Sequence, residues 1–218
     1  MLNSNELLLM LQNGCKKLQL NLAEGIQIKI INYLLLLKKW NKTYNLTAID
    51  DPKEIITHHI LDSLAIIPYI NGTNILDVGS GAGLPGIPLS LALPQKKFVL
   101  LDSNIKKTRF LFYVATTMNI GNVEIVHQRV ENYQPKISQN FNGFDTIVTR
   151  AFSSLQETLE KTRHLPNKNC CLLAMKGKIP IEEIEKINKN EMNRQVTVYN
   201  INVPELNEER HLVVITLK

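Results

Sequence analysis

Apolar positions over the first 70 residues recur at helical spacing. In "SNELLLMLQNGCKKL" Ser4 stands where an N-cap belongs, and Leu7, Leu8, Met10 and Leu11 share one broad face. "LAEGIQIKIINYLLLLKKWNKTYN" predicts a second, longer helix. "DPKEIITHHILDSLAIIPYI" predicts a third, with Asp51 as cap, Pro52 in the first turn, and Ile55, Ile56, Ile60, Leu64 and Ile67 along one side. From residue 74 the rhythm changes. Short β-rich runs at 74–79, 97–102, 123–128, 144–151 and 170–177 alternate with helical stretches at 85–93, 104–118 and 153–164. Strand and helix in alternation predict a parallel sheet with helices on both faces. The last two runs, 194–203 and 210–218, have only a polar loop between them and must pair antiparallel at a sheet edge. The expected layout is a helical extension over residues 1–70 and an α/β domain over 71–218.

The chain has 218 residues, 44% of them hydrophobic and 21% charged, which suits a folded globular protein with a sizeable core. "YLLLL" at 33–37 is bounded by lysines and too short to cross a bilayer, and no secretory leader is expected. The three cysteines show no zinc-ligand spacing, so buried reduced thiols and a cytoplasmic setting are expected. Net charge is +5, distributed unevenly: residues 1–179 carry 20 Lys/Arg against 13 Asp/Glu, and residues 180–218 carry 5 against 7. A basic body leans slightly towards a polyanionic partner.

Four of the eight residues from Gly79 to Gly86 are glycine, and this loop lies between the first strand and a helix. That is where doubly wound sheets bind ligands. Gly81-Ala82-Gly83-Leu84-Pro85-Gly86 fits the dinucleotide pattern, yet three features oppose a dinucleotide. Asp77, at the strand end, repels a pyrophosphate and attracts a cation. Pro85 removes an amide that an anion would use. The chain closes with an antiparallel pair rather than another strand–helix unit. S-adenosylmethionine, which has no phosphate and bears an ammonium and a sulfonium, fits all three. Asp102, ending the second strand, suits two ribose hydroxyls, with capping of the next helix as the alternative. After the third strand, Val130 can face an adenine ring and Glu131 can meet its amine.

The motifs "WNKTYNLTAI", "HHILDSL", "DVGSGAGLPGIPL", "LLDSNIKKTRFL", "RVE", "FDTIVTRAF", "AMKG" and "ERHLVVI", in this order, resemble the RsmG (glucose-inhibited division protein B) family from about residue 30 onward. The resemblance implies a Rossmann-like class I methyltransferase: an α/β fold with a mostly parallel seven-stranded sheet, an antiparallel C-terminal strand and an N-terminal helical extension. It implies transfer of a methyl group from S-adenosylmethionine to guanine N7 in 16S ribosomal RNA, on free RNA or within the small subunit. By motif, cofactor contacts fall at Gly79, Leu84, Val130, Glu131 and Arg150. Asp77, Ser80, Gly81, Gly83 and Asp102 complete the expected cofactor set. Lys107 stands where the family often has arginine.

Guanine N7 carries a lone pair and no proton, so alignment and exclusion of water are the main demands. No metal, triad or general base is expected. Arg150 is the residue expected to position base or cofactor, with an ion pair to Asp77 or Glu131 as the alternative. Lys106, Lys107, Arg109, Lys176 and Arg210 are candidate RNA contacts, each equally readable as solvated charge. His58 and His59 suit packing, and Trp40, Asn41, Tyr44 and Asn45 either shape the base pocket or end a helix. A monomer is the default. Competing readings are a nucleotide-dependent dehydrogenase and an RNA-binding module with a degenerate cofactor site.

Overall fold

A computed structural model describes residues 4–136, 141–190 and 194–217. Seven strands form one sheet in the order β3-β2-β1-β4-β5-β7-β6. They are β1 (Asn74–Val78), β2 (Lys97–Asp102), β3 (Val123–His127), β4 (Phe144–Arg150), β5 (Pro166–Lys176), β6 (Gln195–Asn200) and β7 (His211–Thr216). β1 to β5 pair in parallel, while β7 runs antiparallel to both β5 and β6. The predicted antiparallel pair is therefore present, with β7 slotted inside and β6 left as the edge. The fold is a Rossmann-like α/β sheet, mostly parallel, with β7 as its one antiparallel strand.

The helices are α1 (Ser4–Lys17), α2 (Glu24–Tyr44), α3 (Pro52–Ile55), α4 (Asp62–Leu64), α5 (Gly86–Ala92), α6 (Ile105–Thr117), α7 (Leu155–Thr162) and α8 (Ile181–Asn190). Neighbouring strand residues point to opposite faces, so Leu100 and Leu101, or Ile147 and Val148, enter different cores. One core joins α1 to α6 with Ile75, Phe98, Leu100 and Val148. The other joins α7 and α8 with Leu76, Leu101, Ile147 and Leu172. The helical extension and α5–α6 share a single apolar cluster on one face of the sheet.

The third helix departs from the regular helix its spacing predicts. Asp51 does cap it, accepting from the amides of Lys53 at 2.9 Å and Glu54 at 3.1 Å. Between α3 and α4, however, Ile56–Leu61 is π-helical. Ile55, Ile56, Ile60 and Leu61 are all fully buried, and these pairs recur at i and i+5. Keeping both pairs inward requires the wider π turn. α8 is a helix not picked out from the sequence: Ile187 is buried, but most of its residues are exposed and its apolar signal is short. β5 begins at Pro166, four residues before the predicted strand start at 170. Cys15, Cys170 and Cys171 are buried and free of disulfides. Among the described residues no helix is long and apolar enough to cross a membrane.

Candidate functional site

The strand order reverses between β1 and β4, and that switch point opens at their carboxyl ends. The glycine loop covers it. Gly79 and Ser80 each donate an amide to Leu101 O, at 2.8 and 3.1 Å, and Ser80 Oγ donates to Asp77 O at 2.9 Å. Gly81 N donates to Asp102 Oδ2 and Gly86 N to Asp77 Oδ2, at 2.8 and 2.9 Å. Two carboxylates at the ends of adjacent strands thus pin the loop at both ends. Tyr33, buried in α2, secures it from behind by donating its hydroxyl to Ala82 O at 2.7 Å.

Three of the four glycines divide by role. A Cβ on Gly83 would lie 2.5 Å from Ile87 Cγ1 and 2.8 Å from Leu111 Cδ2, and one on Gly86 would lie 2.5 Å from Asp77 Oδ2. These two allow helix and sheet to close. A Cβ on Gly81 meets nothing nearer than 3.8 Å, so packing does not demand glycine there; its positive φ of 58° does. Gly83→Ala, at φ +94°, combines left-handed strain with overpacking and should cost about 2–4 kcal/mol in urea unfolding. Gly81→Ala carries only the backbone strain, about 1–2 kcal/mol.

A cavity of about 250 Å³ beside the loop is lined by Gly79, Asp102, Lys107, Val130, Glu131 and Phe152, among others. Four of the predicted cofactor positions, Gly79, Asp102, Val130 and Glu131, meet here. Asp102 does not cap α6. Its Oδ1 accepts from Asn104 N at 2.8 Å, and Asn104 is the cap. Lys107 Nζ lies 4.0 Å from Asp102 Oδ2, so this lysine faces the cavity as well as the surface. Glu131 pairs with Arg129 at 3.7 Å.

Asp77, Ser80, Gly81, Gly83 and Leu84 do not line that cavity. Asp77 is fully buried beneath the loop, and its Oδ1 has no hydrogen-bond partner. Burial pushes its carboxyl up to about 7, opposed by the Gly86 amide and Arg150. The folded chain therefore holds a proton that the unfolded chain, titrating near 3.8, has released. Stability from this group is fully present below 3.8 and is lost as pH rises to 7. Asp77→Asn removes that dependence. Its stability relative to the parent should grow between pH 4 and 8, by an amount on the order of 4 kcal/mol, in paired urea titrations. A gap independent of pH would show that the carboxyl titrates normally.

A second cavity, of about 570 Å³, lies against the first, with Ala151 in the wall of both. Arg150, at the end of β4, lines it with Asp62, His58, His59, Lys176 and Arg210. Neither alternative partner expected for Arg150 is the actual one. Its Nη1 is 3.3 Å from Asp62 Oδ2, and also donates to His58 O at 3.2 Å and towards His59 Nδ1 at 3.4 Å. Asp62 Oδ1 lies 3.5 Å from Arg210 Nε. One buried carboxylate therefore joins two guanidiniums, one from the end of β4 and one from the residue just before β7. The π-helical stretch supplies the carbonyl and the ring that complete the cradle around Nη1. His59 Nε2 contacts Thr47 Oγ1 at 2.7 Å, and burial together with Arg150 depresses its ring to about 4, keeping it neutral at pH 7.

Lys176 reaches Glu183 at 3.4 Å, and Arg210 also binds Glu208 at 2.9 Å. Both predicted RNA contacts are thus engaged by acids, whereas Lys106 and Arg109 are exposed on α6. Nothing in the sequence links Asp62 or His59 to Arg150, which lies 88 and 91 residues away. Tyr33 carries no local signal either. Among the described residues no group of His, Cys, Asp and Glu could hold a metal ion.

Comparison with known proteins places the chain in a family. Residues 26–213 match the model of the family described as rRNA small subunit methyltransferase G. The chain is 48% identical over 203 residues to the ribosomal RNA small subunit methyltransferase G of Coxiella burnetii, covering 93% of this chain and 95% of that protein. It is also 48% identical over 204 residues to the protein of that name from Nitrosococcus oceani, covering 93% and 92%. In fold it resembles the plantazolicin methyltransferase BpumL in complex with SAH, with a TM-score of 0.59 at 15% identity over 89% of this chain and all of that one. With its loop, its paired cavities and these relatives, the chain belongs to the rRNA small subunit methyltransferase G family.

Proposed function

We propose that the chain transfers the methyl group of S-adenosylmethionine to N7 of a guanine in 16S ribosomal RNA, acting as a cytoplasmic monomer. The observation that carries this reading is the meeting of the two cavities at Ala151. One is walled by Gly79 of the glycine loop and by Asp102, the other by Arg150. The experiment is methyl transfer from labelled cofactor to naked 16S RNA, small subunits and whole ribosomes, followed by mapping of the modified base.

The residues present suit the cofactor. Gly79, Asp102, Val130, Glu131 and Phe152 line a cavity with a backbone side and an acidic side. Asp77 Oδ1 is a buried polar atom without a partner, and a cationic group above the loop would favour the ionised form of that carboxyl. When bound, S-adenosylmethionine supplies a methyl group made electrophilic by its sulfonium. Gly79, Asp102, Val130 and Glu131 would hold it, with Ser80, Gly83 and Leu84 shaping the loop beneath.

The remaining work falls to the chain's own groups. Arg150 has one nitrogen held by three acceptors, while its Nε and Nη2 make no hydrogen bond among the described residues. Those donors suit the O6 acceptor of guanine, leaving N7 free to react. Neutral His59 adds no charge that would compete with the guanidinium for the base. No residue has to remove a proton, because N7 bears none. Met175 and Ile66 give the second cavity apolar walls that exclude water from a flipped-out base.

A further inference from the structure

α2 and α6 pack side by side and share an unusual charge. From Gly25 to Tyr44, α2 carries four lysines and no acid, and α6 carries three bases and no acid. Those seven charges exceed the +5 of the whole chain. Lys106 and Lys107 sit in the first turn of α6, where the helix macrodipole disfavours cations. Helix stability therefore does not account for their position. Among the described residues only Lys107 of the seven approaches an acid.

Aromatic rings lie along the same seam. The Trp40 ring is 5.1 Å from that of Tyr44, stacked at 29°, 5.1 Å from that of Tyr113, and 5.5 Å from buried Phe110. Phe110 anchors the group while Tyr44 and Tyr113 remain 41% and 40% exposed. On α6, Lys106, Arg109 and Tyr113 follow i, i+3, i+7 spacing and share one stripe. That stripe starts beside Lys107 at the mouth of the cofactor cavity and runs about 10 Å along the helix.

We infer that the α2–α6 ridge binds an unpaired RNA strand flanking the target base, an inference that rests on the RNA substrate proposed above. Bases stack on the exposed rings of Tyr44 and Tyr113, and phosphates meet Lys106 and Arg109. The charge complements a polyanion. The rings favour a single strand over a duplex, whose bases are already stacked.

The test uses the full chain and a short labelled single-stranded RNA, with a duplex of equal length beside it, in fluorescence anisotropy over a series of salt concentrations. Tyr44→Ala/Tyr113→Ala should weaken single-strand binding at least about five-fold per ring with the salt slope unchanged. Lys106→Gln/Arg109→Gln should reduce the slope by about 1.4. KM for ribosomal RNA should rise in both pairs, and calorimetric titration with S-adenosylmethionine should confirm an intact cofactor site. Trp40 is left alone because its ring packs on Phe110. Unchanged RNA affinity in folded, cofactor-binding variants would overturn the inference, as would a preference for duplex. Ribosomal RNA methylation indifferent to all four substitutions sinks the ridge and spares the substrate. Ridge-dependent RNA binding without methylation of ribosomal RNA does the reverse.

Discussion

Arg150→Ala is expected to lower the rate of methyl transfer to ribosomal RNA by roughly 10²-fold while the protein stays folded. Arg150 stands at the end of β4, beside the wall shared by both cavities, with two donor nitrogens unclaimed among the described residues. Removing it loosens the acceptor base against a methyl group that must be met in line. Alignment is the larger part of what this reaction asks of a protein, so misplacement falls on turnover. Arg150→Lys separates geometry from charge. Lysine keeps the positive charge beside Asp62 but offers no planar fork. Stability should recover with lysine and turnover should not. Full activity in the lysine variant would show that Arg150 acts as a point charge, and full activity in the alanine variant would remove it from the site.

Asp62→Ala should be the most destabilising substitution near the site, by about 3–5 kcal/mol in urea unfolding. Asp62 is 3% exposed and joins Arg150 to Arg210. Without it two largely buried guanidiniums are left uncompensated by their shared acid, with Glu208 left to neutralise only Arg210. Burial raises the Asp62 carboxyl above its usual range even though both arginines oppose the shift. The pair therefore specifies geometry more than it adds net stability. Asp62→Asn tests this: it retains shape and some hydrogen bonding, and should lose less stability than alanine while still impairing transfer. A loss below 1 kcal/mol for Asp62→Ala would mean that the arginines find other partners.

The sheet was legible because its strands are short apolar runs separated by helices, and because two closing strands without a helix between them can only pair antiparallel. The glycine loop stood out as a candidate site because a strand, an acid and four glycines stand in order. Its physical roles were not legible. Gly83 and Gly86 answer to Ile87, Leu111 and Asp77, contacts visible only once the helix is docked. Asp77 itself, placed by sequence logic beside a ligand, is beneath the loop holding Gly86 N. Chain order does not show that Asp62 and Arg150 meet, since their contact depends on the extension packing across the strand ends. The π turn that arranges His58, His59 and Asp62 around one nitrogen also escaped a periodicity argument that assumes 3.6 residues per turn. α8 escaped for a different reason: its surface is mostly polar and few of its positions report a core.

The central claim is that the glycine-loop cavity and the Arg150 cavity together present an activated methyl group to a guanine ring nitrogen. The most direct measurement is incubation of the protein with S-adenosylmethionine carrying a labelled methyl group and with 16S RNA or small subunits, followed by chemical mapping of the labelled nucleotide. The account predicts label at N7 of a guanine, present with the parent chain and nearly absent with Arg150→Ala. Label on a ribose, on another base, or on no RNA at all would contradict it.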